Sequence, residues 1–256
     1  MSILQRLGWH RPPAQRWREL LAKAGQLGQD EVAALREEAR LRRRVLDSFL
    51  LETDEAVHRA RAGLAAMPMP IGTDWRWRPP LLAAPLQPHG VVAPANGTGL
   101  GDSAYVFHDC DLRAMVLTQV RNRRATDLSP FAVRFEVMGF SGSFLSVSLP
   151  LPAEALRGLT RHHIIRLDTL IGIERRIEIF ARLNIVNGPN TDQLQNHLGW
   201  MQPAMNRHVC EFDLADTEMD ERQLDKAWID LILEQPRMNA VVLREFVVSR
   251  HPRADI

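Results

Sequence analysis

The sequence predicts a mostly β protein, an antiparallel β-sandwich of jelly-roll type preceded by an N-terminal helical hairpin or coiled-coil-like helices. Three observations carry this. Apolar residues recur every three or four positions before residue 66 and every second position after residue 103. Between these regions lies a segment rich in proline and glycine. The later part holds eight or nine short strand patterns with few helical interruptions, as a two-sheet body requires. The boundaries that follow are a helical module at 1–66, a strap at 67–102 and a sandwich at 103–256.

In the helical module, Trp17, Leu20, Leu21, Ala24 and Leu27 follow helical spacing behind prolines suited to a helix start. Gly25 and Gly28 weaken that helix, and Asp30 reads as the N-cap of a second one, with Glu31 in its first turn. The second helix extends to about Arg61. Val32, Leu35, Ala39, Leu46, Phe49, Ala56 and Ala60 form a heptad-like seam, interrupted by Arg42 and Thr53. Such a seam predicts docking of the two helices or a helical homodimer. The arginine-rich run Arg40–Arg44 lies within a turn or two of Glu37, Glu38 and Asp47, so it reads as a salt-bridged face, with peripheral membrane contact as the alternative.

The strap contains "MPMPIG", "RPPLLAAPLQPHG" and "APANGTGLG" and is too apolar for a free linker, because it carries Leu81, Leu82, Leu86, Val91 and Val92. It is expected to lie extended over the next domain. Its "DWRWRP" places Trp75 and Trp77 on one face of an extended chain and Arg76 and Arg78 on the other. Two bulky aromatics beside prolines predict a lock between the helical module and the sandwich, with a sugar-stacking platform as the alternative.

The clearest strands are "FAVRFEVMG", "SFLSVSLPL" and "RIEIFARLNI", each alternating apolar and polar residues. Weaker ones are "SAYVFHD", "AMVLTQV", "HHIIRLDTLI", "HVCEFDL", "AWIDLIL" and "AVVLREFVV". The last two are separated by "EQPRMN", a loop of hairpin length.

The bulk numbers narrow the function. A hydrophobic fraction of 45% and a charged fraction of 25% are those of an ordinary globular chain. A net charge of +1 gives no reason to expect nucleic-acid binding. The opening "MSILQRLGWHRPP" lacks the apolar run of a secretory signal, and no stretch approaches the ~20 apolar residues of a membrane span. With two cysteines and no disulfide framework, the expected location is cytoplasmic.

No phosphate-binding loop, nucleophile elbow or zinc-protease motif occurs, so no cofactor is expected. "FHDCD" and "HVC" pair His108 with Cys110 and His208 with Cys210, a ligand set for zinc only if both strands met; core cysteines beside satisfied histidines are favoured. The acidic "DLADTEMDE" holds oxygen ligands suited to calcium but lacks a binding-loop register, so a solvated loop with a helix cap is favoured.

What remains is a set of polar residues at strand centres: Arg134, Glu136, Arg182, Asn184, Asp230 and Arg244. Arginine forks, amides and carboxylates hydrogen-bond sugar hydroxyls, and tryptophan faces cover sugar C–H surfaces. Together with Trp75 and Trp77 these are the candidate ligand-binding residues; cross-strand charge pairing is the bland alternative. An enzymatic alternative would use a carboxylate pair among Glu136, Glu178, Asp230 and Glu234. The first function predicted is non-catalytic: a sandwich that binds a glycan or protein partner, carried on helices that mediate association.

A resemblance adds to this. "DWRWRP", "FHDC", "LSPF", "GSFLSVSLPLP", "GLTRHHIIRLDT", "EIFARLNIVNGPNT" and "KAWIDLILEQPRMNAVVLREFVVSRHPRA" resemble a family of uncharacterised alphaproteobacterial proteins defined only as a domain of unknown function. These segments cover most of residues 72–254 and imply no activity or catalytic residues. More loosely, "AWIDLILEQPRMNAVVLREFVVSR" looks like the closing strands of carbohydrate-binding jelly rolls, which implies the fold and a sugar ligand by analogy.

Overall fold

The computed structural model describes residues 13–61, 64, 67–123 and 127–254. The opening twelve residues and the end of the expected helical module at 62–63 and 65–66 lie outside the described residues, as do the side chains of the seam positions Thr53, Ala56 and Ala60. The chain divides into two compact units, Met1–Val57 and His58–Ile256.

In the first unit, helix α1 (Pro13–Ala22) leads through a 3-10 turn at Ala24–Gln26 into α2 (Gln29–Arg61). Helix α2 begins at Gln29, so Asp30 lies in its first turn with Glu31 rather than at the cap. There the two carboxylates still complement the partial positive charge of the helix start. The helices fold back on each other. Arg16 pairs with Glu38 at 3.0 Å, and the guanidinium groups of Arg16 and Arg42 lie 5.9 and 6.0 Å from the Trp17 ring centroid. Arg42 also pairs with Glu38 and Arg40 with Glu37, which ties part of the arginine run to its acidic neighbours.

Among the described residues the second unit is a two-sheet antiparallel sandwich of thirteen strands. They are β1 (Trp75–Trp77), β2 (Gly90–Val92), β3 (Thr98–Gly99), β4 (Tyr105–His108), β5 (Ala114–Arg121), β6 (Phe131–Gly139) and β7 (Phe144–Pro150). After these come β8 (His163–Ile173), β9 (Ile177–Asn187), β10 (Asn190–Met201), β11 (Met205–Asp213), β12 (Leu224–Glu234) and β13 (Asn239–Pro252). A short helix α3 (Pro80–Ala83) lies between β1 and β2. The seven-stranded sheet runs β11-β8-β13-β6-β5-β2, with β1 on β13; the six-stranded sheet runs β10-β9-β12-β7-β4-β3.

The alternation read from the sequence places one residue set between the sheets. Phe135, Leu243 and Ile171 from one sheet meet Val147, Leu231 and Ile179 from the other in a single core. Each such fully buried side chain contributes about 1.5–3 kcal/mol through water exclusion. Residues 67–102 are woven into the body rather than draped over it: Trp75 pairs with Arg250, Val91 with Leu117 and Thr98 with Val106, so they supply strands to both sheets. Leu81 and Leu82 of α3 are fully buried in the same core.

The loop "EQPRMN" does not close a hairpin. Strand β12 pairs with β7 and β9, and β13 with β6 and β8, so this loop carries the chain from one sheet to the other. Gln235 and Met238 take positive φ there, at 46° and 53°, which lets a short connection turn sharply. Similar crossings join β6 to β7, β7 to β8 and β8 to β9, the winding expected of a jelly roll.

Candidate functional site

The outer face of the six-stranded sheet is built from residues that alternate with the core. Directly opposed residues of antiparallel strands point to the same side, so the register defines rows across the sheet. One row reads Tyr105, Ser148, Asp230, Arg182 and Gln195. The next reads Phe107, Ser146, Ile232, Phe180 and His197. A third reads Pro150, Trp228, Asn184 and Gln193.

Over β4, β7 and β12 these rows enclose a groove of about 730 Å³, which Arg182 of β9 also reaches. Strand β7 spans seven residues along it, about 20 Å. The rings of Tyr105, Phe107 and Phe144, exposed at 38, 39 and 37%, and the half-buried Trp228 stand among its lining. Ser146 and Ser148 form its floor on β7, and Asp230 faces Ser148 from β12.

Hydrogen bonding in the groove is unevenly spent. Asp230 Oδ2 accepts from Arg182 Nε at 3.3 Å and Nη2 at 3.0 Å, and from Asn184 Nδ2 at 2.9 Å. Gln193 Nε2 donates to Asn184 Oδ1 at 3.0 Å, which fixes the direction of that amide. Among the described residues nothing donates to Asp230 Oδ1. Ser146, at 5% exposure, has an Oγ that is buried and without a partner among the described residues. Four further buried atoms of this kind, Arg244 Nε, Glu245 Oε2, Ser249 Oγ and His251 Nε2, lie on β13 of the other sheet among the described residues.

The candidate residues read from the sequence separate. Arg182, Asn184 and Asp230 come together on this face, whereas Arg134, Glu136 and Arg244 lie in the other sheet. There Arg134 pairs with Glu136 at 2.8 Å. Arg244 Nη1 donates to Asn122 Oδ1 at 2.9 Å and lies 3.6 Å from Asp127 Oδ2. The reason is topological: β6 and β13 neighbour each other, and neither borders β9 or β12. Trp75 and Trp77 are also absent from the groove. They alternate with exposed Arg76 as expected, but β1 pairs with β13, and both rings pack against the sandwich core. Arg78 departs from the expected outward face; just beyond the strand it turns inward, and its Nε donates to buried Glu245 at 2.8 Å.

Of the nominated carboxylates only Glu178 and Glu234 are neighbours, facing each other across β9 and β12 outside the groove lining. Glu136 is held by Arg134, Asp230 by Arg182 and Glu178 by His197 at 2.7 Å.

The possible metal ligands are engaged elsewhere. His108 Nδ1 accepts from the Cys110 amide at 3.2 Å, and its Nε2 lies 3.1 Å from the Pro94 carbonyl, so the ring proton sits on Nε2. Asp109 clamps the loop after β6, accepting from the Ser143 hydroxyl at 2.6 Å and from the amides of Ser143 and Phe144. The Ser143 hydroxyl holds the Asp109 carboxyl below its ordinary range. Burial pushes the Cys110 thiol up, but the Ser141 amide and hydroxyl and the amides of Arg113 and Gly142 bring it down to about 7. Cys210, on β11 of the other sheet, is pushed up to about 12 by burial and then by Asp168 and Glu211. In "DLADTEMDE", Asp213 caps a 3-10 turn through the Ala215 amide at 3.0 Å and pairs with Arg253 at 3.3 Å. Among the described residues no group of three or more His, Cys, Asp or Glu side chains is placed to hold a metal ion.

The groove residues missed from the sequence are Tyr105, Phe107, Phe144, Ser146 and Ser148. Their signal was present in "YVFH" and "SFLSVS", where the residues between core positions are aromatic or hydroxylic, but strand adjacency was needed to unite them.

Comparison with solved structures finds low-identity likenesses. The CBM22-1 xylan-binding domain from Paenibacillus barcinonensis Xyn10C is 9% identical, with 65% of this chain and 94% of that domain covered at a TM-score of 0.38. The C-terminal family 22 carbohydrate-binding module of Clostridium thermocellum Xyn10B is 8% identical, covered over 74% of this chain and 100% of that one, with a TM-score of 0.40. The enzymatically active domain of bacteriophage CBA120 tailspike protein 4 is 7% identical at a TM-score of 0.41; 61% of this chain aligns with 21% of it, so the chain spans about a fifth of that protein's length. At these scores the likenesses carry no weight for a ligand. No curated protein matches. The model for a family of unknown function, DUF6478, matches residues 2–256, and the chain belongs to that family.

Proposed function

We propose that the protein is a non-catalytic binding protein whose six-stranded sheet holds an extended glycan chain in the groove over β4, β7 and β12. The observation that carries this reading is the pairing of half-exposed aromatic rings with unspent hydrogen-bonding groups. Tyr105, Phe107, Phe144 and Trp228 offer ring faces for sugar C–H surfaces, and among the described residues Ser146 Oγ has no partner and the hydrogen bonds to Asp230 all go to Oδ2. A groove about 20 Å long suits a chain of several sugars rather than a single ring.

The test is affinity electrophoresis of the full chain through gels containing soluble polysaccharides. Retardation by at least one polymer, lost in Trp228→Ala and retained in Arg134→Ala, supports the reading. Retention of binding in Trp228→Ala combined with Tyr105→Ala contradicts it.

The helical unit serves association with a second copy. Leu41, Val45, Leu46 and Phe49 of α2 are exposed apolar side chains. Charges along 29–49 balance, with Asp30, Glu31, Glu37, Glu38 and Asp47 against Arg36, Arg40, Arg42, Arg43 and Arg44, which favours another helix over an anionic bilayer. Light scattering of the full chain is expected to give a dimer that Leu46→Asp with Phe49→Asp converts to a monomer. A monomer in the parent at every concentration contradicts this.

A further inference from the structure

We infer that the groove selects an uncharged glycan chain and excludes uronate-bearing ones, with Asp230 as the specificity-determining residue. This rests on the glycan reading of the groove and adds to it the chemical class of the ligand.

The inference comes from what Asp230 has left to give. Its residue is 4% exposed, and its Oδ2 already accepts three hydrogen bonds, two from Arg182 and one from Asn184. Asn184 is fully buried and its own oxygen is held by Gln193, so the amide cannot turn round and offer its carbonyl to the carboxylate. The carboxylate is therefore locked in one orientation before any ligand arrives. A locked carboxylate oxygen is an acceptor only, so what it recognises is a donor, and on a glycan the donors are hydroxyl groups. Ser148 stands directly opposite Asp230 on β7, and Ser146 lies two residues along the same strand with an orphaned Oγ. The hydroxyls of both serines accept as well as donate, so the floor meets a hydroxyl-bearing chain without leaving a buried group unpaired.

A ligand carboxylate meets the opposite situation. At Asp230 Oδ1 a ligand carboxylate has no proton to donate, so acceptor would face acceptor. The nearest cation, Arg182, directs its Nε and Nη2 to Asp230 Oδ2. Arg182 and the exposed Lys226 are the two cations of the lining that oppose this outcome, and the test includes Lys226, which is not part of the Asp230 network.

The experiment is titration calorimetry of the full chain at low salt against neutral soluble polymers (xylan, glucomannan, galactan) and uronate polymers (polygalacturonate, alginate). The parent, Asp230→Asn, Ser148→Ala and Lys226→Gln are compared, with thermal melts to establish folding. At least one neutral polymer is expected to bind, and every uronate polymer at least tenfold more weakly. Asp230→Asn is expected to lose about tenfold for the neutral polymer and to narrow the gap to the uronates. Ser148→Ala, which leaves the Asp230 network intact, is expected to weaken neutral binding severalfold even if Asp230→Asn fails to fold. A uronate polymer that binds the parent as tightly as any neutral one, and is lost in Lys226→Gln, overturns the class assignment while leaving the groove reading in place. No binding by polymers of either class overturns both.

Discussion

The outer faces of the two sheets begin from the same sequence pattern and end in different chemistry. Both alternate polar residues with a shared apolar core. On the seven-stranded sheet charged groups pair with one another, Arg134 with Glu136, Arg166 with Asp168 and Glu211, and Arg244 with Asn122 and Asp127, although Arg244 Nε, Glu245 Oε2, Ser249 Oγ and His251 Nε2 are buried without a hydrogen-bond partner among the described residues. On the six-stranded sheet, half-exposed rings stand beside Asp230, Ser146 and Ser148, and among the described residues Ser146 Oγ has no hydrogen-bond partner. Among the described residues, alternation and leftover hydrogen-bonding capacity occur on both sheets, whereas exposed aromatic rings along a groove belong to the six-stranded one. Charges on the first face should carry stability and groups on the second should carry binding.

The largest effect is expected where the seven-stranded sheet buries a charge pair. Arg78 Nε and Ser129 Oγ donate to Glu245 Oε1 at 2.8 and 2.7 Å, with both charged side chains almost wholly buried. Glu245→Ala should destabilise by about 3–5 kcal/mol, because it removes a hydrogen-bonded carboxylate from a buried guanidinium. Urea unfolding checks this, and a loss under 1 kcal/mol would place the pair among ordinary surface contacts.

A second effect lies in the loop between β6 and β7, next to Phe144 of the groove. A Cβ at Gly142 would stand 2.2 Å from Asp109 Oδ1 and 2.9 Å from the Cys110 amide. Gly142→Ala should break the Asp109 clamp at a cost of about 1–3 kcal/mol, by overpacking, and weaken ligand retention because β4 carries Tyr105 and Phe107. Tyr105→Ala comes next, with about a tenfold loss of polysaccharide affinity and stability nearly unchanged; affinity electrophoresis and a thermal melt together separate the two.

A smaller, pH-dependent effect tests how the strap is held. Arg250 forks onto Asp74 at 2.9 and 2.7 Å, and this hydrogen bonding holds the Asp74 carboxyl below its ordinary value of 3.8. A carboxyl depressed in the folded state stabilises above its unfolded value and loses that contribution as the pH falls through the folded one. Asp74→Asn should melt below the parent at pH 7 and converge with it on acidification past 3.8. A constant gap across that range would mean that the ion pair contributes nothing. The smallest effect belongs to the seven-stranded face: Arg134→Ala should change stability by under about 0.5 kcal/mol and leave ligand retention unaltered.

Local pattern made part of this legible and concealed the rest for identifiable reasons. Strands β6, β7 and β9 were readable because their core residues recur at every second position. Strand β10 was not, since Asn190, Thr191, Asp192, Gln193, Gln195 and Asn196 are polar on both faces, as an edge strand bordered only by β9 permits. Arg182 and Asp230 stood out as charges at the centres of apolar strands. Tyr105, Phe144 and Ser146 did not, because their importance depends on β4, β7 and β12 lying side by side, and that adjacency is set by crossings between sheets rather than by neighbours in sequence. Trp75 and Trp77 show the converse: their alternation was right, but the partner strand turned both rings onto the core.

Hydrogen–deuterium exchange of the full chain, with and without a polysaccharide that it binds, tests most directly which face is the binding face. Slower exchange at 105–107, 144–150 and 226–232, with residues 131–139 unchanged, is the result expected of a groove on the six-stranded sheet. Protection confined to 131–139 and 240–244, with the groove strands unaffected, would contradict it.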